Sequence, residues 1–322
     1  AVNTLKPVVH FCLMNQWMRS MTAFLFVLLF CAHGCKSPEN DTNPQFSDQE
    51  VSNAFGRAQE QAQIQIPQLD EASGLVNSRS NPFYFWSHND SGGDPQFFLF
   101  TQTGADSSRL ILNGAQNVDW EDMAIGPGPV DQVNYLYAAD IGDNRAVRAN
   151  CVIYRVPEPD LTVADIPATY TVNATDYETI TYRYADGARD AEALFVDPAT
   201  RDIYIVTKRE PSVIVYRLPY PQSLSSENVA ERVAVIPFTF VTAADLSADG
   251  TELLLKNYEN VYYWKRSATE SIQEMLSKTP LRLNYTREPQ GEAIAWDSSH
   301  NAYYTISEAN GSSPVVLFRY NR

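Results

Sequence analysis

Four glutamates in this chain each open a short apolar run. They are Glu71-Ala72-Ser73-Gly74-Leu75, Glu121-Asp122-Met123-Ala124-Ile125, Glu192-Ala193-Leu194-Phe195-Val196 and Glu292-Ala293-Ile294-Ala295-Trp296. A fifth copy, Ala244-Asp245-Leu246-Ser247-Ala248, starts on alanine with Asp245 beside it. Asp119 and Asp190 lie two residues ahead of their glutamates. Carboxylates gathered at one place cannot all stay ionised unaided. A bound cation, a neighbouring Lys or Arg, or raised pKa values would relieve them. Hard oxygen donors without a His/Cys cluster suit Ca²⁺ or Mg²⁺ rather than zinc. Glu71, Glu121, Glu192 and Glu292 are therefore the candidate metal ligands. The competing reading has each carboxylate hydrogen-bonded to backbone amides of a neighbouring segment.

Polar loops follow further along each copy. They are His88-Asn89-Asp90-Ser91-Gly92-Gly93, Asp140-Ile141-Gly142-Asp143-Asn144, Thr207-Lys208-Arg209-Glu210, Lys256-Asn257 and Ser307-Glu308-Ala309-Asn310. His88, Asp90, Asp140 and Asp143 are candidate general bases, and Lys208 and Arg209 could stabilise developing negative charge. The plainer reading of His88 and Asp90 is that they tie down a turn. The 140–144 loop is too short for an EF-hand and lacks its distal glutamate. The sequence contains no Gly-x-Ser-x-Gly elbow, P-loop, His-Glu-x-x-His or Cys-x-x-Cys motif.

The elements that must position these groups repeat with them. The copies start roughly 50, 70, 50 and 50 residues apart, a spacing typical of propeller blades. After each comes a turn cluster, then β-rich runs such as Phe83-Tyr84-Phe85-Trp86, Ile203-Tyr204-Ile205-Val206 and Tyr303-Tyr304-Thr305-Ile306. A third strand and a fourth complete most units, for instance Val213-Ile214-Val215-Tyr216 and Val233-Ala234-Val235-Ile236. The expected fold is all-β: a β-propeller of about five four-stranded blades, with six as the alternative. Ile64-Gln65-Ile66 is the expected closing strand of the last blade. The long third spacing places an extension near Thr169 to Asn173. Ala268 to Lys278 is expected to hold one short helix. Strand direction alternates within a blade, so the start of each first strand and the loop after the second share one face. His300, in the turn after the first strand, falls on the opposite face.

Net charge is −15, from 24 basic and 39 acidic residues. Such a surface repels nucleic acid and anionic membranes and favours cations. Near the N-terminus, Arg19 precedes the apolar run Phe24 to Phe30, and Ala32-His33-Gly34-Cys35 follows. That order reads as a secretory leader ending in a lipobox, with Cys35 as the lipidated residue. Residues 1–17 read as translated upstream sequence or as an alternative start ahead of Met18. The expected organisation is a leader over 1–35, a Ser/Pro/Asn-rich flexible tether over 36–60 and a propeller over 61–322. Localisation would be extracytoplasmic, in the cell envelope or secreted, with membrane attachment only through the lipid. A monomer is expected. Cys151 would be the one remaining thiol, read as buried core.

The motifs Glu-Ala-Ser-Gly-Leu (71–75), His-Asn-Asp-Ser-Gly-Gly (88–93), Asp-Trp-Glu-Asp-Met-Ala (119–124), Asp-Ile-Gly-Asp-Asn (140–144) and Arg-Asp-Ala-Glu-Ala-Leu (189–194) resemble a family of secreted bacterial propeller-like lipoproteins. Thr-Lys-Arg-Glu (207–210) fits the same pattern. The resemblance covers most of 64–322 and implies fold and location, not an activity. The acidic ring is also loosely similar to calcium-dependent propeller hydrolases, namely the calcium-activated nucleotidases and, more weakly, lactonases and phytases. Ala244 departs from that pattern, and so does a basic set limited to Arg145, Lys208, Arg209 and Lys256. Two functions follow as expectations. One is a metal-dependent hydrolase of phosphate or carboxylic esters. The other is a non-catalytic propeller binding a small molecule, glycan, peptide or protein through the same loops.

Overall fold

The computed structural model describes residues 46–161, 166–309 and 314–322. The expected leader over 1–35, the Cys35 lipidation site and the start of the tether lie outside the described residues. The fold is all-β, with one five-residue α-helix and a single 3-10 turn at Phe46–Asp48 among the described residues. No described helix is long and apolar enough to cross a membrane.

After β1 (Gln59–Gln63), the chain forms β2 (Ala72–Asn77), β3 (Tyr84–Asn89), β4 (Gln96–Thr101) and β5 (Asp106–Leu112), an antiparallel meander. A second meander uses β6 (Trp120–Pro127), β7 (Asn134–Asp140), β8 (Cys151–Pro157) and, after an excursion through β9 (Ala168–Val172), β10 (Glu178–Tyr184). The third is β11 (Ala191–Val196), β12 (Ile203–Thr207), β13 (Val213–Leu218) and β14 (Asn228–Ile236). The fourth is β15 (Val241–Leu246), β16 (Glu252–Asn257), β17 (Val261–Lys265) and β18 (Leu281–Leu283), with α1 (Ile272–Leu276) between its last two strands. The fifth is β19 (Gly291–Trp296), β20 (Ala302–Ser307) and β21 (Val316–Asn321), completed by β1 from the other end of the chain.

The expected closing strand thus comes earlier than Ile64-Gln65-Ile66. Gln59 to Gln63 pair with β21, while Ile64 and Ile66 turn inward and are buried. The alternation Ala-Gln-Ile-Gln-Ile offers two registers, and packing of the isoleucines selects one. The long spacing does not hold a sixth sheet. β9 adds to the first sheet parallel to β5, and β10 pairs parallel with β14, joining the second and third meanders into one eight-stranded sheet.

The first strands pack against one another in a closed cycle, β2 to β6 to β11 to β15 to β19 and back to β2. The apolar core follows suit. Each of its five clusters is shared by two successive meanders. Trp120, fully buried, fills the cluster between the first and second, along with Trp86 and Phe97. Burying one such ring contributes roughly 1.5–3 kcal/mol. The segment expected to be a tether is packed from Phe46 onward. Phe46 meets Phe238 edge-on and Tyr262 at a tilt, and Phe55 is buried against Tyr263, Trp296 and Tyr303. Its polar composition hides two aromatic anchors, and these decide its fate.

α1 begins with a capping box: Ser271 accepts the Glu274 amide, and Glu274 accepts the Ser271 amide.

Candidate functional site

Every inner strand carries a β-bulge at the same end. Pairing between first and second strands slips after Ala72, Trp120, Ala191, Val241 and Gly291. The next residues are Ser73, Glu121, Glu192, Thr242 and Glu292. A bulge leaves one residue outside the ladder and re-aims its side chain. These five positions therefore form the true equivalent set. Glu71 is not a member; it precedes β2 and is exposed. Ala244 is not one either, since Thr242 holds that place. Aligning apolar runs cannot register an unpaired extra residue, which shifts the first and fourth copies by two. The non-acidic members serve as ties: Ser73 donates to the Glu121 carbonyl, and Thr242 to the Gly291 carbonyl at 3.0 Å.

Two carboxylates converge on Glu121. Oxygens of Asp90, Asp119 and Glu121 all lie within 4.8 Å of one another. Asp90 comes from the loop after β3, and Asp119 from the residue before β6. The Asp119 carbonyl accepts the amides of Ile141 at 3.2 Å and Gly142 at 3.1 Å, which draws that loop against the carboxylates. A Cβ on Gly142 would overlap both the Glu121 and the Asp119 carboxylate. Glycine is what allows this close approach.

Burial, then the charges of Glu192, Asp90 and Asp119, pushes Glu121 well above the ordinary carboxylate range. Asp90 rises to about 6, chiefly through burial and then Asp119, Glu292 and Glu71. Asp119 is raised by burial as well, against the pull of Arg148. Glu308, in the loop after β20, rises to about 7 through burial and then through Glu292, Asp90 and Glu71.

Beside this triad lies a neutralised half of the mouth. Lys208, on the loop after β12, is ion-paired with Glu192. Its ammonium also sits 5.2 Å from the centre of the Tyr258 ring. Burial opposes its charge, but Glu192 and Glu292 outweigh that and raise its pKa. Burial pushes Glu192 upward while Lys208 pulls it back down. Glu292 accepts the Tyr258 hydroxyl at 2.8 Å on one oxygen, and its other oxygen is buried without a hydrogen bond. Hence Glu121, Glu192 and Glu292 share one mouth, with Glu71 at its exposed edge beside Asp90, but only Glu121 stands in the three-carboxylate cluster.

No protein-family model matches this chain, and no curated protein matches it. Function therefore rests on the chemistry of the mouth.

The remaining sequence candidates are tied into the scaffold. His88 is fully buried, with Nδ1 on the Asn89 carbonyl at 2.9 Å and its ring edge-on to Trp120. Burial takes its pKa down to about 4, so it is neutral at physiological pH. Asp140 accepts the amides of Val118 and Asp119 and pairs with Arg148 at 2.8 Å. Asp143 accepts the Arg148 amide at 2.6 Å, and its own amide donates to Asp190. Arg209 is held by Asp190 and Asn144. Cys151 is buried, and burial pushes its thiol up to about 11. His300 sits in the turn after β19, where its Nε2 accepts the Ala248 amide at 3.1 Å. Asp119, Gly142 and Glu308 stand in motifs and loops that the sequence placed on this face without giving them a role, and Tyr258 was not read from the sequence at all.

Proposed function

We propose that the chain is a five-bladed β-propeller of the cell envelope, anchored through Cys35. In this reading its acidic mouth takes up Ca²⁺ or Mg²⁺ and hydrolyses phosphate or carboxylic esters. The carrying observation is the Asp90–Asp119–Glu121 cluster, into which no described Lys or Arg is inserted. Such a cluster needs protons or a cation, and its all-oxygen donor set fits a hard divalent ion. The cyclic packing of β2, β6, β11, β15 and β19 supports the propeller reading.

A cation there would polarise a substrate oxygen and acidify bound water. Glu308, raised to about 7 and outside the triad, is the group suited to take a proton near neutrality. Lys208 places positive charge at the mouth for an anionic substrate oxygen. His88, Asp140, Asp143 and Arg209 keep only positioning roles in this scheme. Their engagement favours a second reading, cation-dependent binding of a ligand without turnover.

Thermal unfolding with Ca²⁺, Mg²⁺ or EDTA tests the site, and Glu121→Gln should abolish any cation-induced rise in midpoint. Nitrophenyl phosphate, nitrophenyl acetate and a simple lactone then separate the two readings. Turnover that vanishes in EDTA and in Glu121→Gln supports hydrolysis. Cation binding with no turnover of any substrate supports the second.

A further inference from the structure

A cleft of about 450 Å³ opens between the fourth and fifth meanders, and none of the triad carboxylates lines it. Its size suits a small-molecule ligand. We infer that this cleft binds a neutral saccharide, stacking one sugar ring on Phe240. This goes beyond the cation reading and does not depend on it.

Phe240 is nearly half exposed, at 46%, and stands at φ 57°. A bulky residue in the left-handed region is costly and persists only where its surroundings impose it. Here they do. The Phe240 amide and the Thr239 hydroxyl both donate to the Lys208 carbonyl, at 2.7 and 3.1 Å, and Asn257 Nδ2 donates to the Thr239 carbonyl. The turn thus holds an aromatic face rigidly in solvent, next to the ring of Tyr258 at 6.5 Å between centroids.

The floor adds a polar handle. Tyr262 lines the cleft and is fully buried. Its hydroxyl makes no well-formed hydrogen bond, although the Asn260 side chain lies beside it. An unsatisfied buried hydroxyl is unfavourable until a ligand group meets it. At the rim, Glu259 and Arg287 pair at 3.8 Å, so the cleft offers no unpaired cation to an anionic ligand. The surface as a whole is strongly acidic. Aromatic faces, a hydroxyl and a charge-balanced rim match a ring with an apolar C–H face and a hydroxyl edge.

Saturation-transfer NMR in EDTA tests this, using cellobiose, maltose and chitobiose, with N-acetyltryptophanamide as the aromatic control. At least one disaccharide should show saturable transfer. Phe240→Gly removes the ring while relieving the backbone strain, so the variant should unfold no earlier than the parent. Its affinity for that sugar should fall at least tenfold. Tyr262→Phe, which deletes only the hydroxyl, should weaken binding several-fold. Absence of transfer from all three sugars, transfer confined to the aromatic control, or unchanged binding in Phe240→Gly would overturn the inference.

Discussion

The Asp122 carboxylate on β6 accepts the backbone amide of Ala244 on β15 at 3.1 Å. The same oxygen accepts the Leu194 amide on β11 at 3.0 Å, and the other takes the Met123 amide at 2.8 Å. One fully buried side chain therefore ties three inner strands together. The next carboxylate in the ring behaves alike: Asp245 accepts the Trp296 amide on β19 at 2.7 Å. Structural and site carboxylates sit side by side, Asp122 against Glu121.

Asp122→Ala would leave buried amides on three strands without an acceptor. Unsatisfied buried donors cost about 1–3 kcal/mol each, so a loss of about 3 kcal/mol or more is expected. Urea unfolding measures it. A midpoint equal to the parent's would show that the tie is unimportant.

Metal-free stability should fall as pH rises. Asp90 and Glu308 have folded pKa values raised to about 6 and about 7. The folded state then holds protons that the unfolded chain has released. Their contribution is complete below the ordinary carboxylate range and is lost as pH climbs through the raised values. In EDTA the unfolding midpoint should be higher near pH 5 than near pH 8. Added Ca²⁺ should restore stability mainly at the higher pH, where the ligands are deprotonated. A flat profile would count against the shared repulsion.

Lys208→Met would strand Glu192 as an unpaired buried carboxylate. Breaking one side of a buried pair costs about 3–5 kcal/mol, whereas removing both partners costs far less. The double variant Lys208→Met/Glu192→Gln should therefore recover most of the loss. A double-mutant cycle by chemical denaturation reads this directly. Additive losses would mean the two groups do not act as a pair.

Gly142→Ala tests the packing around the triad. Its new methyl would press on the Asp119 and Glu121 carboxylates, and such overpacking costs about 1–3 kcal/mol. The variant should also lose the midpoint rise with Ca²⁺ or Mg²⁺. An alanine variant that folds and keeps its full response to cations would move the cation site away from Asp90, Asp119 and Glu121.

Strand content and repeat period were legible because both are local. Runs such as Ile203-Tyr204-Ile205-Val206 declare strands by side-chain shape alone, and the turn clusters between them mark the period. Gathering Glu121, Glu192 and Glu292 at one end followed from strand alternation. The membership of that set did not follow: Ser73 and Thr242 displace Glu71 and Ala244 through bulges that leave no signature in composition. Phe46 and Phe55 were likewise hidden inside a polar stretch, because two aromatic residues decide packing without altering its average character.

By itself the sequence determined the all-β character, the acidic charge and the order of the repeated segments, since these depend on residue type and on neighbours close along the chain. Only the tertiary structure decided which carboxylates enter direct ion pairs. Asp140 went to backbone amides and Arg148, Glu192 to Lys208, and Asp90, Asp119 and Glu121 to one another. Electrostatic partnership depends on distances of a few ångströms between residues far apart in the chain, and such distances exist only once the strands are in register.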